Sequence, residues 1–279
     1  MVKNEYYKVV LTARSKSLGK LKEKYVENDR LMLLPLDLTD LNQINQVVST
    51  VLKNWGSIDV LINNAGISFR TVTEHMDAES ERLQMQTNYL GPMAIIRATI
   101  PAMRESGRGK IINVSSVSGI LGMPTMGSYS ASKHALEGAS ESLWFEMKPL
   151  GISVSVLRPG FINSSGHQHV VVARKAQIAE KYKGPYADFY SFMRPFVSML
   201  MNFSPATSES LAKEILKIIK TQNPPLWVNG TLDAKILFFL KKFMPVVFFY
   251  NMMNWFLQSG SGWAKANTNA DSRRPQSFE

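Results

Sequence analysis

Apolar residues in this chain alternate between short, near-continuous runs and longer stretches spaced by three and four. The short runs at 7–12, 31–36, 59–63, 110–115 and 152–157 have the length and β-branched content of buried strands. Between them, residues 17–28 read as a charged helix. Residues 41–55 read as an amphipathic helix with Ile44, Val47, Val48, Val51 and Leu52 on one stripe. A long helix interrupted near Gly91-Pro92 is predicted over 78–105, and an unbroken one over 128–147. Leu211, Ile215, Leu216 and Ile219 mark a further helix over 208–220; Pro224-Pro225 ends it, and residues 226–228 read as a last strand. Strands alternating with helices predict an α/β fold on a doubly wound parallel sheet. Residues 166–205 lack a repeating pattern and are expected to form an insertion over the working end of that sheet. Residues 1–258 are read as one domain, with an apolar segment at 230–258. Residues 259–279 are read as a polar, disordered tail.

Tyr129 and Lys133 stand four apart on the predicted 128–147 helix, so they share a face with Cβ atoms about 5–6 Å apart. An ammonium beside a phenol favours its ionised form. That lowers a pKa that starts near ~10 and makes the phenol an acid or base usable near neutrality. Ser116 ends the apolar run at 110–115. A strand end facing the start of a helix is where an open α/β sheet places its chemistry.

Further motifs accompany this pair. Asn-Asn-Ala-Gly at 63–66 follows Val60-Leu61-Ile62, Asn88 stands in Thr87-Asn88-Tyr89-Leu90-Gly91, and Pro-Gly-Phe-Ile-Asn-Ser at 159–164 follows the strand at 152–157. Together with Ser116, Tyr129 and Lys133, in this order over residues 8–165, they make the chain resemble the short-chain dehydrogenase/reductase family. The resemblance implies a Rossmann-like fold and hydride transfer between a nicotinamide and a carbonyl or alcohol carbon. It implies that Tyr129 gives or takes the proton of the reacting oxygen, and that Ser116 binds the substrate through the same oxygen. Lys133 would lower the tyrosine pKa and hold the nicotinamide ribose, and Asn88 would anchor a water on the proton path. Asp37 and Leu38 would meet the adenine, and Asn64, Ala65 and Gly66 would pass beside the adenine-side ribose. Pro159, Gly160, Ile162 and Ser164 would bind the carboxamide, with serine where the family more often has threonine. Where an NAD-binding member carries a carboxylate, this chain has Arg14 and Ser15. A guanidinium and a hydroxyl suit a phosphate, so NADP(H) is the expected cofactor.

One part of the family pattern is missing. No Gly-x-x-x-Gly-x-Gly turn is present to hold a pyrophosphate on helix N–H groups, and the chain begins at what matches the family's second strand. One strand-turn-helix unit of about 30 residues is therefore expected to be absent. Its strand belongs between those at 7–12 and 59–63. The alternative to an enzyme is a catalytically silent or truncated dinucleotide-fold protein acting through a binding partner.

Composition narrows the partners. The net charge is +10 with no nucleic-acid-binding motif, so an anionic cofactor or an anionic bilayer surface is the expected beneficiary and nucleic acid is not. The chain has no cysteine, and its four histidines lack helical metal spacing, so no metal site is expected; His167 and His169 are read as loop residues. No signal segment or run of about 20 apolar residues occurs, which predicts a cytoplasmic protein with possible peripheral contact to a membrane. Residues 236–240 and 243–257 are dense in aromatics and methionine; as helix the second spans only about 22 Å. One reading makes it a core helix or the interface of a homodimer or homotetramer. The other makes it an apolar lid or membrane-resting helix beside a lipophilic substrate. Residues 135–143 are similar to family members acting on steroids and retinoids. A small lipophilic carbonyl or alcohol, steroid-, retinoid- or sphingoid-like, and a place in lipid metabolism are the expectations that follow.

Overall fold

Strands buried on both faces carry near-continuous Val, Ile and Leu, because helices cover each side of a parallel sheet. The computed structural model, which describes residues 6–163, 171, 173, 174, 176, 177 and 186–261, has this organisation. Strand β1 (Val9–Ala13) leads into α1 (Ser15–Lys24), β2 (Leu31–Pro35) into α2 (Leu41–Trp55), and β3 (Val60–Asn63) into α3 (Ala78–Met85) and α4 (Gly91–Glu105). Then come β4 (Gly109–Val114), α5 (Gly127–Met147), β5 (Ile152–Arg158), α6 (Ala187–Asn202), α7 (Ser208–Lys220), β6 (Trp227–Asn229), α8 (Leu232–Phe243) and α9 (Val246–Ser261). All strand pairs are parallel, with Val9 opposite Leu31, Ile111 opposite both Leu61 and Val154, and Leu157 opposite Val228.

Alternation along β4 builds two cores. Ile111 faces Ile96 and Met103 of α4 and Leu143 and Met147 of α5, while Ile112 faces Ile218 of α7. Both isoleucines are fully buried. The predicted doubly wound α/β sheet is thus the observed one. It falls into two hydrogen-bonded groups, β1-β2 and β3-β4-β5-β6, parted between β1 and β3 where the missing strand was expected. The apolar residues of β1 and β3 are only half-buried, unlike those of β4 and β5.

Several boundaries differ from the sequence reading. The helix predicted over 78–105 is interrupted just before Gly91-Pro92, by a π-turn at Gln86–Leu90 that leads into α4. Gly91 is required there, since a Cβ would stand 2.5 Å from the Leu38 carbonyl oxygen. Ile218, not Leu216, is the buried residue of α7. The region 166–205 contains α6, hidden from pattern reading by Pro195 in its interior, a residue that normally ends a helix. Packing compensates: Tyr190, Met193 and Phe196 are buried, and Phe196 meets Phe256 of α9 edge-on at 5.7 Å. The apolar segment is two helices divided at Met244-Pro245, and α9 runs on to Ser261. Ser164, His167, His169 and residues 262–279 of the expected tail lie outside the described residues. No described helix is long and apolar enough to cross a membrane.

Candidate active site

The residues singled out from sequence converge on the carboxyl ends of the parallel strands. Arg14 and Ser15 follow β1, Asp37 and Leu38 follow β2, Asn64, Ala65 and Gly66 follow β3, Ser116 follows β4, and Pro159, Gly160 and Ile162 follow β5. Tyr129 and Lys133 lie in the first two turns of α5, on the face that meets the end of β4. Ser116 and Tyr129 line one cleft, and Ser116 Oγ accepts from the Ser118 backbone N–H at 3.1 Å. The Lys133 ammonium donates to the Val114 carbonyl at 2.8 Å and stands 5.8 Å from the centre of the Tyr129 ring.

Asn88 occupies the π-turn and is buried. Its side chain bonds Ile67 twice, accepting from the N–H and donating to the carbonyl, both at 2.8 Å, and donates to Ser132 Oγ at 3.0 Å. The amide therefore pins the segment leaving β3 against α5. A Cβ on Gly66 would lie 3.2 Å from Asn88 Oδ1 and 3.7 Å from Lys133 Nζ, so glycine keeps the passage beside Lys133 open.

Electrostatics here depart from the i, i+4 argument. Burial pushes the Tyr129 phenol up; the Ser116 hydroxyl and then the charge of Arg70 oppose that rise. The second cation beside the phenol is thus Arg70, and the expectation that Lys133 lowers the tyrosine pKa is corrected. Lys133 is itself drawn down to about 8 by burial, with the Glu137 carboxylate opposing the fall. A buried ammonium facing a carbonyl oxygen cannot recover its lost hydration.

Sequence reading missed the groups that hold this arrangement together. Glu137, one turn beyond Lys133 on α5, accepts from Ser115 Oγ at 2.6 Å and pairs with Arg158, whose Nη2 lies 2.6 Å from Glu137 Oε2. The Arg158 guanidinium stacks 3.9 Å from the Trp227 ring of β6. One carboxylate thereby ties α5 to the ends of β4, β5 and β6. A Cβ on Gly119 would come within 2.3 Å of Glu137 Oε1. The loop after β5 is gripped from α8: the Gly160 N–H donates to Thr231 Oγ1 and the Phe161 N–H to Asp233 Oδ2, each at 2.8 Å. The available signal was a charge at each end of a buried element, Glu137 within α5 and Arg158 closing β5.

Polar groups stand at two places along these strand ends. Arg14 and Ser15 are exposed after β1, and Thr39 and then Arg14 hold the Asp37 carboxyl below its usual range. Lys133 and the backbone around Gly160 stand at the ends of β4 and β5. Among the described residues, no glycine-rich turn at a helix N-terminus stands ready for the pyrophosphate.

Residues 1–175 match the family model described as short chain dehydrogenase. The chain is 34% identical over 210 residues, 75% of its length and 76% of the relative's, to the 3-ketodihydrosphingosine reductase of Bacteroides thetaiotaomicron. It is 30% identical over 232 residues, 83% of its length and 69% of the relative's, to dehydrogenase/reductase SDR family member 7B of Xenopus tropicalis. A crystal structure of a short-chain dehydrogenase from Streptomyces avermitilis superposes with a TM-score of 0.69 at 29% identity, covering 94% of this chain and 88% of that one.

Proposed function

Because this chain belongs to the short-chain dehydrogenase/reductase family of NAD(P)-dependent oxidoreductases, we propose that it interconverts a carbonyl and an alcohol on a lipophilic substrate, using NADP(H). The observation that carries the reading is a cleft of about 210 Å³ lined by Ser116 and Tyr129 together with Met123, Met126 and Met201, with Lys133 and Asn88 buried nearby on α5 and the π-turn. A bound nicotinamide supplies the hydride in reduction and takes it in oxidation. Ser116 holds the reacting oxygen against the phenol. Tyr129, kept protonated by its burial, delivers its proton to that oxygen in reduction. Lys133 returns a proton toward Tyr129 and holds the nicotinamide ribose, while Asn88 fixes the wall behind them. The carboxamide is assigned to the backbone at Pro159, Gly160 and Ile162, through groups other than the Gly160 N–H that Thr231 holds, and to the hydroxyl of Ser164.

The preference for NADP(H) rests on Arg14 and Ser15, exposed at the end of β1 where a ribose phosphate is met. Arg14→Asp in the full-length enzyme is expected to shift the NADPH/NADH ratio of kcat/KM toward NADH by about two orders of magnitude, since it removes attraction and adds repulsion. An unchanged ratio would assign the phosphate contact elsewhere.

The lipophilic character of the substrate is supported by the methionine-lined cleft and by α8 and α9 nearby. Phe239, Phe243, Val246, Val247, Phe248 and Trp255 are each at least 60% exposed there, with Lys242 beside them. Such a patch rests on a bilayer surface in this reading. The double variant Val247→Glu/Phe248→Glu is expected to lose most of the protein's flotation with vesicles of phosphatidylcholine and phosphatidylserine. Loss of a homodimer or homotetramer in sedimentation, with flotation unchanged, assigns the patch to subunit contact instead.

A further inference from the structure

Arg70 lies four residues beyond Gly66, on the segment that Asn88 pins, and lines the same cleft as Ser116 and Tyr129. Its Nε is buried without a hydrogen-bond partner. The ion pairs among the described residues are Arg108–Asp59 and Arg158–Glu137, so no described carboxylate neutralises it. The hydroxyl of Ser68, two residues earlier on the same wall, is likewise buried and unpartnered. Burying a guanidinium N–H and a hydroxyl without partners is costly, and a polar ligand group in the cleft would offset that cost. Burial disfavours the charged form of Arg70, and among its described neighbours Tyr129 is the group that offsets this. The backbone holds Arg70 in place: its N–H donates to the Val171 carbonyl at 2.8 Å, and Phe69 bridges Val171.

We propose that Arg70 and Ser68 form a polar subsite for an oxyanion, so that the substrate is an apolar-chain ketone or alcohol bearing a carboxylate or phosphate close to its reacting carbon. This rests on the reading of Tyr129 and Ser116 as the centre of carbonyl reduction. A guanidinium presents several N–H donors in a planar fork matched to such groups, and a neighbouring hydroxyl adds one more. An ammonium at the same place meets repulsion instead. The subsite therefore selects against a 2-amino ketone, whatever the similarity to a 3-ketodihydrosphingosine reductase.

Four ketones of matched chain test this on the full-length enzyme: 2-oxooctyl phosphate, 3-oxooctanoate, 2-octanone and 3-amino-2-octanone. The parent is expected to prefer one or both oxyanion ketones over 2-octanone in kcat/KM, chiefly through KM, and to disfavour the amino ketone. Which oxyanion it prefers separates carboxylate from phosphate. Arg70→Met is expected to reduce the oxyanion-to-neutral ratio by about 10- to 100-fold, and Arg70→Lys to restore part of it. A parent that reduces 2-octanone as efficiently as both oxyanion ketones, or a ratio that Arg70→Met leaves within about twofold, overturns the subsite. Binding of octyl phosphate, octanoate and octanol by calorimetry gives a readout independent of turnover and, in the parent, of whether the variant folds. Equal affinity for all three overturns the subsite even if the ketones are reduced. Tighter oxyanion binding without reduction of any ketone supports the subsite and sinks the assigned reaction.

Discussion

Tyr129→Phe in the full-length enzyme is expected to lower kcat for carbonyl reduction by about 10²–10⁴, with affinity for NADPH changed by no more than a few-fold. The change removes one oxygen, and with it the phenol that lines the cleft with Ser116. Ser116 remains to bind the substrate oxygen but has no raised phenol beside it to release a proton, so the loss falls on turnover. The measurement is steady-state kinetics together with NADPH fluorescence titration. Turnover within a few-fold of the parent would remove Tyr129 from the proton path and leave Lys133 or a solvent molecule to supply it.

Glu137→Gln carries the largest expected effect on stability. The carboxylate and Arg158 are both buried, and their bidentate contact is reinforced by Ser115 and by the Trp227 ring. Removing one member of a buried pair strands the other charge, at a cost of about 3–5 kcal/mol. For a chain of this size that corresponds to a fall in Tm of about 10 °C. The companion change Arg158→Met is expected to recover much of the loss, because no buried charge is then left alone. A second effect follows at the active site. Lys133 titrates at about 8 with the Glu137 charge holding it up, while Tyr129, Arg70 and Arg158 are the other ionisable groups around this cluster. In the parent, kcat/KM for reduction is expected to fall as pH rises through about 8 and Lys133 loses its proton. Without the carboxylate the ammonium is less favoured, so this limb moves to lower pH. A purely structural role for Glu137 predicts the Tm loss with the limb unmoved.

Much of this site was legible along the chain because its geometry is local. An i, i+4 spacing puts Tyr129 and Lys133 on one face of α5 whatever the helix packs against. Apolar runs of strand length, each followed by helical spacing, fix a parallel sheet whose strand ends carry Ser116, Asn64 and Gly160. Burial reversed the expected direction for Tyr129, because desolvation depends on everything around the phenol and not on its helical neighbour alone. Residues 187–202, within a region that lacked a repeating pattern, form a helix with Pro195 in its interior that packs against α9.

The sequence by itself determined the alternation of strands and helices, the turn of α5 that carries the acid–base pair, and the order in which the site residues arrive. Each follows from the backbone period and from side chains a few positions apart. Only the tertiary structure decided that Arg70 faces the cleft without a carboxylate, that Glu137 closes on Arg158 from 21 residues away, and that Thr231 and Asp233 reach back over 70 residues to hold the loop at Gly160. Those contacts join elements whose separation in sequence carries no periodic signal. Their energies come from burial and the exclusion of water, which exist only once the layers have packed.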